Sequence, residues 1–124
     1  MAPIKVLIVD DSVDLVAAFS LLIRRESDLQ VVGALHSADD VLPVVAQLCP
    51  DVVVMDLTMP GKDPLEAIRE LSRAAPDCVV LACSGYDDPD TVSAALKAGA
   101  RRCVSKHDDV DRLIGAIRGV VRRG

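Results

Sequence analysis

Short apolar runs that end at a polar residue alternate along this chain with segments of helical period. Ile4–Val9, Val31–Leu35, Val52–Met55 and Val79–Cys83 are such runs, and a weaker one lies around Cys103–Val104. The first, third and fourth show little polar alternation, as expected of strands buried on both faces of a parallel sheet. Strands separated by helices require crossover connections, which are right-handed. The chain therefore reads as α/β, a (βα)5 unit with no internal linker. Five units are too few for a closed eight-stranded barrel. An open, doubly wound five-stranded parallel sheet is expected, with any ligand beyond the carboxyl ends of its strands.

The intervening segments carry their own start and stop signals. Ser12 can cap a helix bearing Leu15, Val16, Phe19, Leu22 and Ile23. Ser37 is expected to cap the next one, with Val41, Leu42, Val45 and Leu48 on its apolar face; Pro43 inside that pattern predicts a displaced start or a kink. Pro64 suits the first turn of a third helix carrying Leu65, Ile68 and Leu71. A fourth begins near Pro89, carries Val92, Ala95 and Leu96, and is ended by Gly99. Leu113, Ile114, Ile117, Val120 and Val121 mark a fifth.

At 124 residues the chain is expected to be one domain, residues 1–124, with a core that needs no disulfide or metal staple. Aromatic residues are 2% of the total, Phe19 and Tyr86 with no Trp, so the core is aliphatic and a stacking platform for bases or a flavin is not expected. A net charge of −5 argues against direct nucleic-acid binding and against an anionic membrane surface. Arg118, Arg122 and Arg123 read as a solvated helix end. Cys49, Cys78, Cys83 and Cys103 form no C-x-x-C pair, so zinc is not expected; each reads as a small buried apolar residue, reduced in a cytoplasmic setting. The first residues lead directly into a strand, so no secretory signal is expected, and no run approaches the roughly 18 residues of a membrane span.

The polar residues at the strand ends carry the chemistry. Asp10 and Asp11 follow the first strand, Asp56 the third, Ser84 the fourth and Lys106 the fifth. A single Asp at such a place is ordinarily a turn former or a helix cap. Three carboxylates gathered from neighbouring strands are different. At about 4 Å each like-charge pair costs on the order of 4 kcal/mol at an effective dielectric near 20, so the cluster needs a cation. Hard oxygen donors without His or Cys suit Mg2+; no twelve-residue loop of alternating ligands favours Ca2+. Ser84 and Lys106 add a hydroxyl and an ammonium able to hold the oxygens of a phosphoryl group on Asp56.

Four segments resemble the receiver domain of response regulators in two-component systems. They are VLIVDDS at 6–12, DVVVMDLTMPG at 51–61, the serine of CSGYDDP at 83–89, and ALKAGARRCVSK at 95–106. The likeness is to the CheY-like superfamily and looks closest to its NarL/FixJ subfamily, whose members usually add a DNA-binding output domain. The resemblance implies a flavodoxin-like sheet of strand order 2-1-3-4-5. It implies Asp56 as phosphoacceptor, Lys106 as partner of the phosphoryl group, and Ser84 as the hydroxyl that moves toward it. Asp10, Asp11, Asp56 and the backbone carbonyl of Thr58 would bind Mg2+, with Mn2+ as a substitute. A sensor histidine kinase or phosphotransfer protein would be the donor, and homodimerisation on phosphorylation one route to an output that includes control of transcription. No turnover of an external substrate is implied beyond self-phosphorylation and self-dephosphorylation.

The sequence departs from the family at three places. Cys103 stands where a Tyr or Phe is usual, three residues before the lysine, so ring rotation cannot be the relay. His107 stands where proline often follows the lysine, with its commonly cis bond. Pro64 stands where glycine is usual. Tyr86 and Thr58 are expected to flank the mouth of the site. The competing expectation is a degenerate receiver, a binding module independent of phosphorylation. Two enzymes on a similar sheet fit less well. A flavodoxin needs a hydroxyl-rich phosphate loop where Asp10-Asp11-Ser12 stands, and a haloacid-dehalogenase-like phosphatase needs a second Asp where Thr58 stands.

Overall fold

The computed structural model describes residues 2–85 and 88–121. Strands and helices alternate: β1 Ile4–Val9, α1 Val13–Ile23, β2 Leu29–Leu35, α2 Val41–Leu48, β3 Val52–Asp56, α3 Pro64–Ala74, β4 Val79–Ser84, α4 Pro89–Ala98, β5 Arg102–Ser105 and α5 Val110–Val121. All paired strands are parallel, in the order β2-β1-β3-β4-β5. The expected flavodoxin-like topology is therefore the observed one.

The three central strands explain their own composition. Along β1, Val6 and Ile8 join the core under α1 and α5, whereas Leu7 and Val9 join the core under α2, α3 and α4. Val52 and Val54 of β3 alternate in the same way with Val53 and Met55. Strands covered on both faces have no use for polar residues until they end. Leu7, Ile8, Met55 and Leu81 are at most 1% exposed, and each such burial is worth about 1.5–3 kcal/mol.

Helix starts follow the sequence signals with one exception. Ser12 Oγ accepts the Leu15 N–H at 3.2 Å, Asp63 caps α3 and Asp88 caps α4, and Pro64 and Pro89 occupy first turns. The exception is α2. Ser37 does not cap it: its hydroxyl accepts the Asp39 N–H at 3.3 Å in a local turn, and the helix starts at Val41 behind Asp40. That start places Pro43 in the first turn, where its missing N–H breaks no bond. β2 begins at Leu29 rather than Val31, because Ile4 pairs with Leu29; a register shift between Val6 and Leu7 leaves Val32 unpaired.

Other expectations change at the surface. Cys49 is exposed and left-handed at φ 49°, not a buried apolar residue, since it closes α2 where the chain must turn. Cys83 is buried as expected, and Cys78 and Cys103 are half-buried. Leu96 is 46% exposed instead of packed. Arg118 is no solvated helix end: it reaches Asp28 at 2.8 Å and Glu26 at 2.7 Å, tying α5 to the turn before β2. Arg122, Arg123 and Tyr86 lie outside the described residues. Among the described residues no helix is long and apolar enough to cross a membrane, and no peptide bond is cis, that of Lys106–His107 included.

Candidate functional site

The parallel ladder delivers the site to one edge. Asp56 is the last residue of β3 and Ser84 the last of β4, while Asp10 and Lys106 follow β1 and β5 directly. Backbone bonds continue past the strands and fix these residues. Asp10 N–H donates to the Leu35 carbonyl at 3.0 Å, Leu57 N–H to Cys83 at 2.9 Å, and Lys106 N–H to Ser84 at 2.8 Å.

Asp10 and Asp56 are held alike. In each, Oδ1 accepts the N–H two residues on, Ser12 at 2.9 Å and Thr58 at 3.0 Å, which fastens the loop to the carboxylate. In each, Oδ2 faces the Lys106 ammonium, at 3.0 Å from Asp10 and 2.9 Å from Asp56. Lys106 thus bridges two carboxylates that would otherwise repel. Asp11 stands beside them, exposed, and carboxylate oxygens of Asp10, Asp11 and Asp56 lie within 4.8 Å of one another.

The electrostatics single out Asp56. Both it and Asp10 are buried, at 1% and 4% exposure. Burial pushes the Asp56 carboxyl above its ordinary value, against the pull of Lys106 and the Thr58 N–H, and Asp10 adds to the rise. Burial works against the charged form of Lys106 as well, yet Asp56 and Asp10 together hold its ammonium above the usual lysine value. Asp56 Oδ2 makes a close ion pair with Lys106 at 2.9 Å.

The donor set fits a hard divalent cation: three carboxylates within 4.8 Å of one another, one of them open to solvent. A cleft lined by Asp11, Thr58, Gly85, Lys106 and His107 gives access. Thr58, whose carbonyl was the further ligand expected, lines that cleft. Ser84 does not line that cleft. It is buried at 1% exposure behind Gly85.

Two residues enter here that the strand-end logic does not reach. A ring nitrogen of His36, Nδ1, lies 3.0 Å from the Asp10 carbonyl, and His107 Nε2 lies 3.1 Å from the Gly85 carbonyl. Each histidine directly follows the last residue of β2 or stands two beyond the last of β5. A histidine in such a place was the available signal, but its partner is a backbone atom on another loop.

A doubly wound parallel sheet carrying an acidic cluster and a lysine at its carboxyl edge defines a receiver of two-component signalling. Residues 6–118 match the response regulator receiver domain, and the chain belongs to that family. It is 41% identical over 108 residues to protein-glutamate methylesterase/protein-glutamine glutaminase 5 of Myxococcus xanthus, covering 86% of this chain and 31% of that protein. It is 37% identical over 118 residues to the response regulator GacA of Pseudomonas aeruginosa, covering 94% of this chain and 55% of that one. The receiver domain of the putative response regulator NarL from Mycobacterium tuberculosis superposes with a TM-score of 0.92 over 98% of both chains; at 22% identity this likeness shows the fold. The chain spans 31% and 55% of the length of these two curated relatives.

Proposed function

We propose that residues 1–124 act as one phosphoacceptor unit in which Asp56 takes a phosphoryl group from a sensor histidine kinase or phosphotransfer protein. The observation that carries this reading is the Asp56 carboxylate, 1% exposed, with Oδ2 2.9 Å from Lys106 and the carboxylates of Asp10 and Asp11 beside it. A carboxylate oxygen attacks phosphorus without first losing a proton. The new bond joins an Asp56 oxygen to phosphorus, the donor's phosphorus–nitrogen bond breaks, and its imidazole nitrogen keeps the electron pair. Lys106 offers its ammonium to the transferred oxygens.

Asp10, Asp11, Asp56 and the Thr58 carbonyl would hold Mg2+, or Mn2+ in its place. Bound there, the ion supplies positive charge against the oxygens of the transferring group. The domain turns over no external substrate. Added phosphate brings roughly −1.5 to −2 charges and new acceptors, and Ser84 answers them from the end of β4. With Cys103 in place of a ring, the change passes through Ser84 and the backbone after it. Its readers are an output domain, a second copy of the chain or another protein in the cytoplasm; this acidic surface does not itself bind nucleic acid or membrane.

Intact-mass measurement after incubation with acetyl phosphate and Mg2+ tests the reading. One added phosphoryl group is expected on the natural chain and none on Asp56→Ala, whose circular dichroism should stay unchanged. Full labelling of Asp56→Ala would remove Asp56 from the role.

A further inference from the structure

His107 closes a contact that proline, often found after the lysine, cannot make. Its Nε2 lies 3.1 Å from the Gly85 carbonyl oxygen, while its own N–H donates to Ser105 Oγ at 3.1 Å. A carbonyl only accepts, so the proton of the ring sits on Nε2. One residue earlier, Lys106 N–H donates to the Ser84 carbonyl at 2.8 Å. The Ser84-Gly85 backbone is therefore fastened to the start of the loop after β5 at two successive carbonyls. The first bond extends the strand ladder. The second depends on a side chain.

A Cβ built at Gly85 would meet nothing within 4 Å, so among the described residues no side chain packs against that face of its backbone. Gly85 also lines the cleft over the carboxylates, together with His107 and Lys106. Ser84 is buried behind it, at 1% exposure. Of the two carbonyls after the Ser84 side chain, its own is held by the Lys106 N–H and the next, that of Gly85, by the imidazole, so loss of the second tie would free the backbone after Ser84 to follow its hydroxyl toward Asp56.

We propose that His107 is a positioning residue that latches the Gly85 carbonyl in the arrangement where Lys106 sits on bare Asp56, and so sets how readily the site accepts a phosphoryl group. The proposal deepens the phosphoacceptor reading and rests on it. It also gives the chain a coupling element in the absence of a ring at Cys103: residues 102–109 contain no Phe, Tyr or Trp, and His107 is their one imidazole. A single hydrogen bond at an exposed rim shifts a two-state population by about three- to tenfold.

The test uses the full chain with Mg2+ and beryllofluoride, a phosphoryl mimic, titrated while backbone amide resonances are followed by NMR. His107→Ala removes the latch. His107→Gln keeps an N–H donor at nearly the reach of Nε2, and His107→Ser, too short to reach Gly85, repeats the Ala measurement independently. The Ala and Ser variants should bind beryllofluoride about three- to tenfold more tightly than the natural chain and label faster with acetyl phosphate in the same ratio. The Gln variant should track the natural chain, and all should melt alike. Equal or weaker binding by Ala and Ser, or a Gln variant that behaves as Ala does, overturns the latch and leaves the phosphoacceptor reading standing. A natural chain that takes neither beryllofluoride nor phosphate overturns both.

Discussion

Asp56 holds a carboxylate at 1% exposure, and the energetic consequence can be read from the direction of its shift. Burial raises its folded pKa above the ordinary 3.8, so between those two values the folded chain binds more protons than the unfolded one. Stability then falls as pH rises through that window, and the whole cost is present once pH is above the raised value. Asp56→Asn deletes the charge and nearly keeps the shape. Lys106 is not stranded, because Asp10 remains 3.0 Å away. The variant should melt about 4 °C higher at pH 7, the shift that roughly 1 kcal/mol produces in a domain of this size. The gain should shrink as pH is lowered toward 4. A lower melting temperature at pH 7, or a gain independent of pH, would show that Lys106 outweighs burial. The same residue that the site needs for its chemistry is one the fold tolerates at a cost.

Among the elements, the end of α4 depends most on a single atom. Gly99 has φ 129°, and a Cβ there would stand 1.8 Å from Ser72 Oγ on α3. That hydroxyl donates to the Ala98 carbonyl at 3.3 Å, so the close approach is part of how α3 and α4 pack. Gly99→Ala should cost about 2–4 kcal/mol in urea denaturation, from backbone strain plus the clash. Adding Ser72→Ala should relieve the clash with Oγ but leave the strain and the 3.0 Å approach of the residue 72 Cβ, and so recover part of the loss. Full recovery, or no loss in the single variant, would contradict that division. The sequence marks Gly99 as a helix stop but says nothing of Ser72, and the difference is general. Helix stops, proline-led starts and doubly buried strands follow from local chemistry, and parallel pairing then forces Asp10, Asp56, Ser84 and Lys106 to one edge. Ser37 misled because Asp40 stands closer to the first helical residue and the short hydroxyl serves a turn instead. Arg118 misled because its partner Asp28 lies 90 residues away in sequence. His107 acquires meaning from the Gly85 carbonyl, 22 residues away, which no local pattern encodes.

For the molecule as a whole, the acidic edge should make folding depend on divalent metal. The chain carries a net charge of −5, and three of its carboxylates crowd within 4.8 Å around one lysine. A cation that binds these groups only when the fold assembles them stabilises the folded state by mass action, by about 2.7 kcal/mol at a hundred times its dissociation constant. For a chain of 124 residues that is a rise of about 10 °C in melting temperature. Circular dichroism is the suitable probe, since the chain has no Trp and a single Tyr. Mg2+ and Mn2+ should both raise the melting temperature of the natural chain, with saturation. Asp11→Asn should abolish most of the rise. Asp11 is exposed, so its loss removes a donor without opening the core, and without metal the variant should melt within a degree or two of the natural chain or slightly above it, relieved of one repulsion. Nonspecific screening of the acidic surface would raise both chains equally, and the same ionic strength in NaCl would reproduce it. If Asp11→Asn and the natural chain respond alike, the carboxylate cluster does not bind the ion. Saturation lost with Asp11 would tie the stability of the entire domain to the edge where its chemistry is gathered.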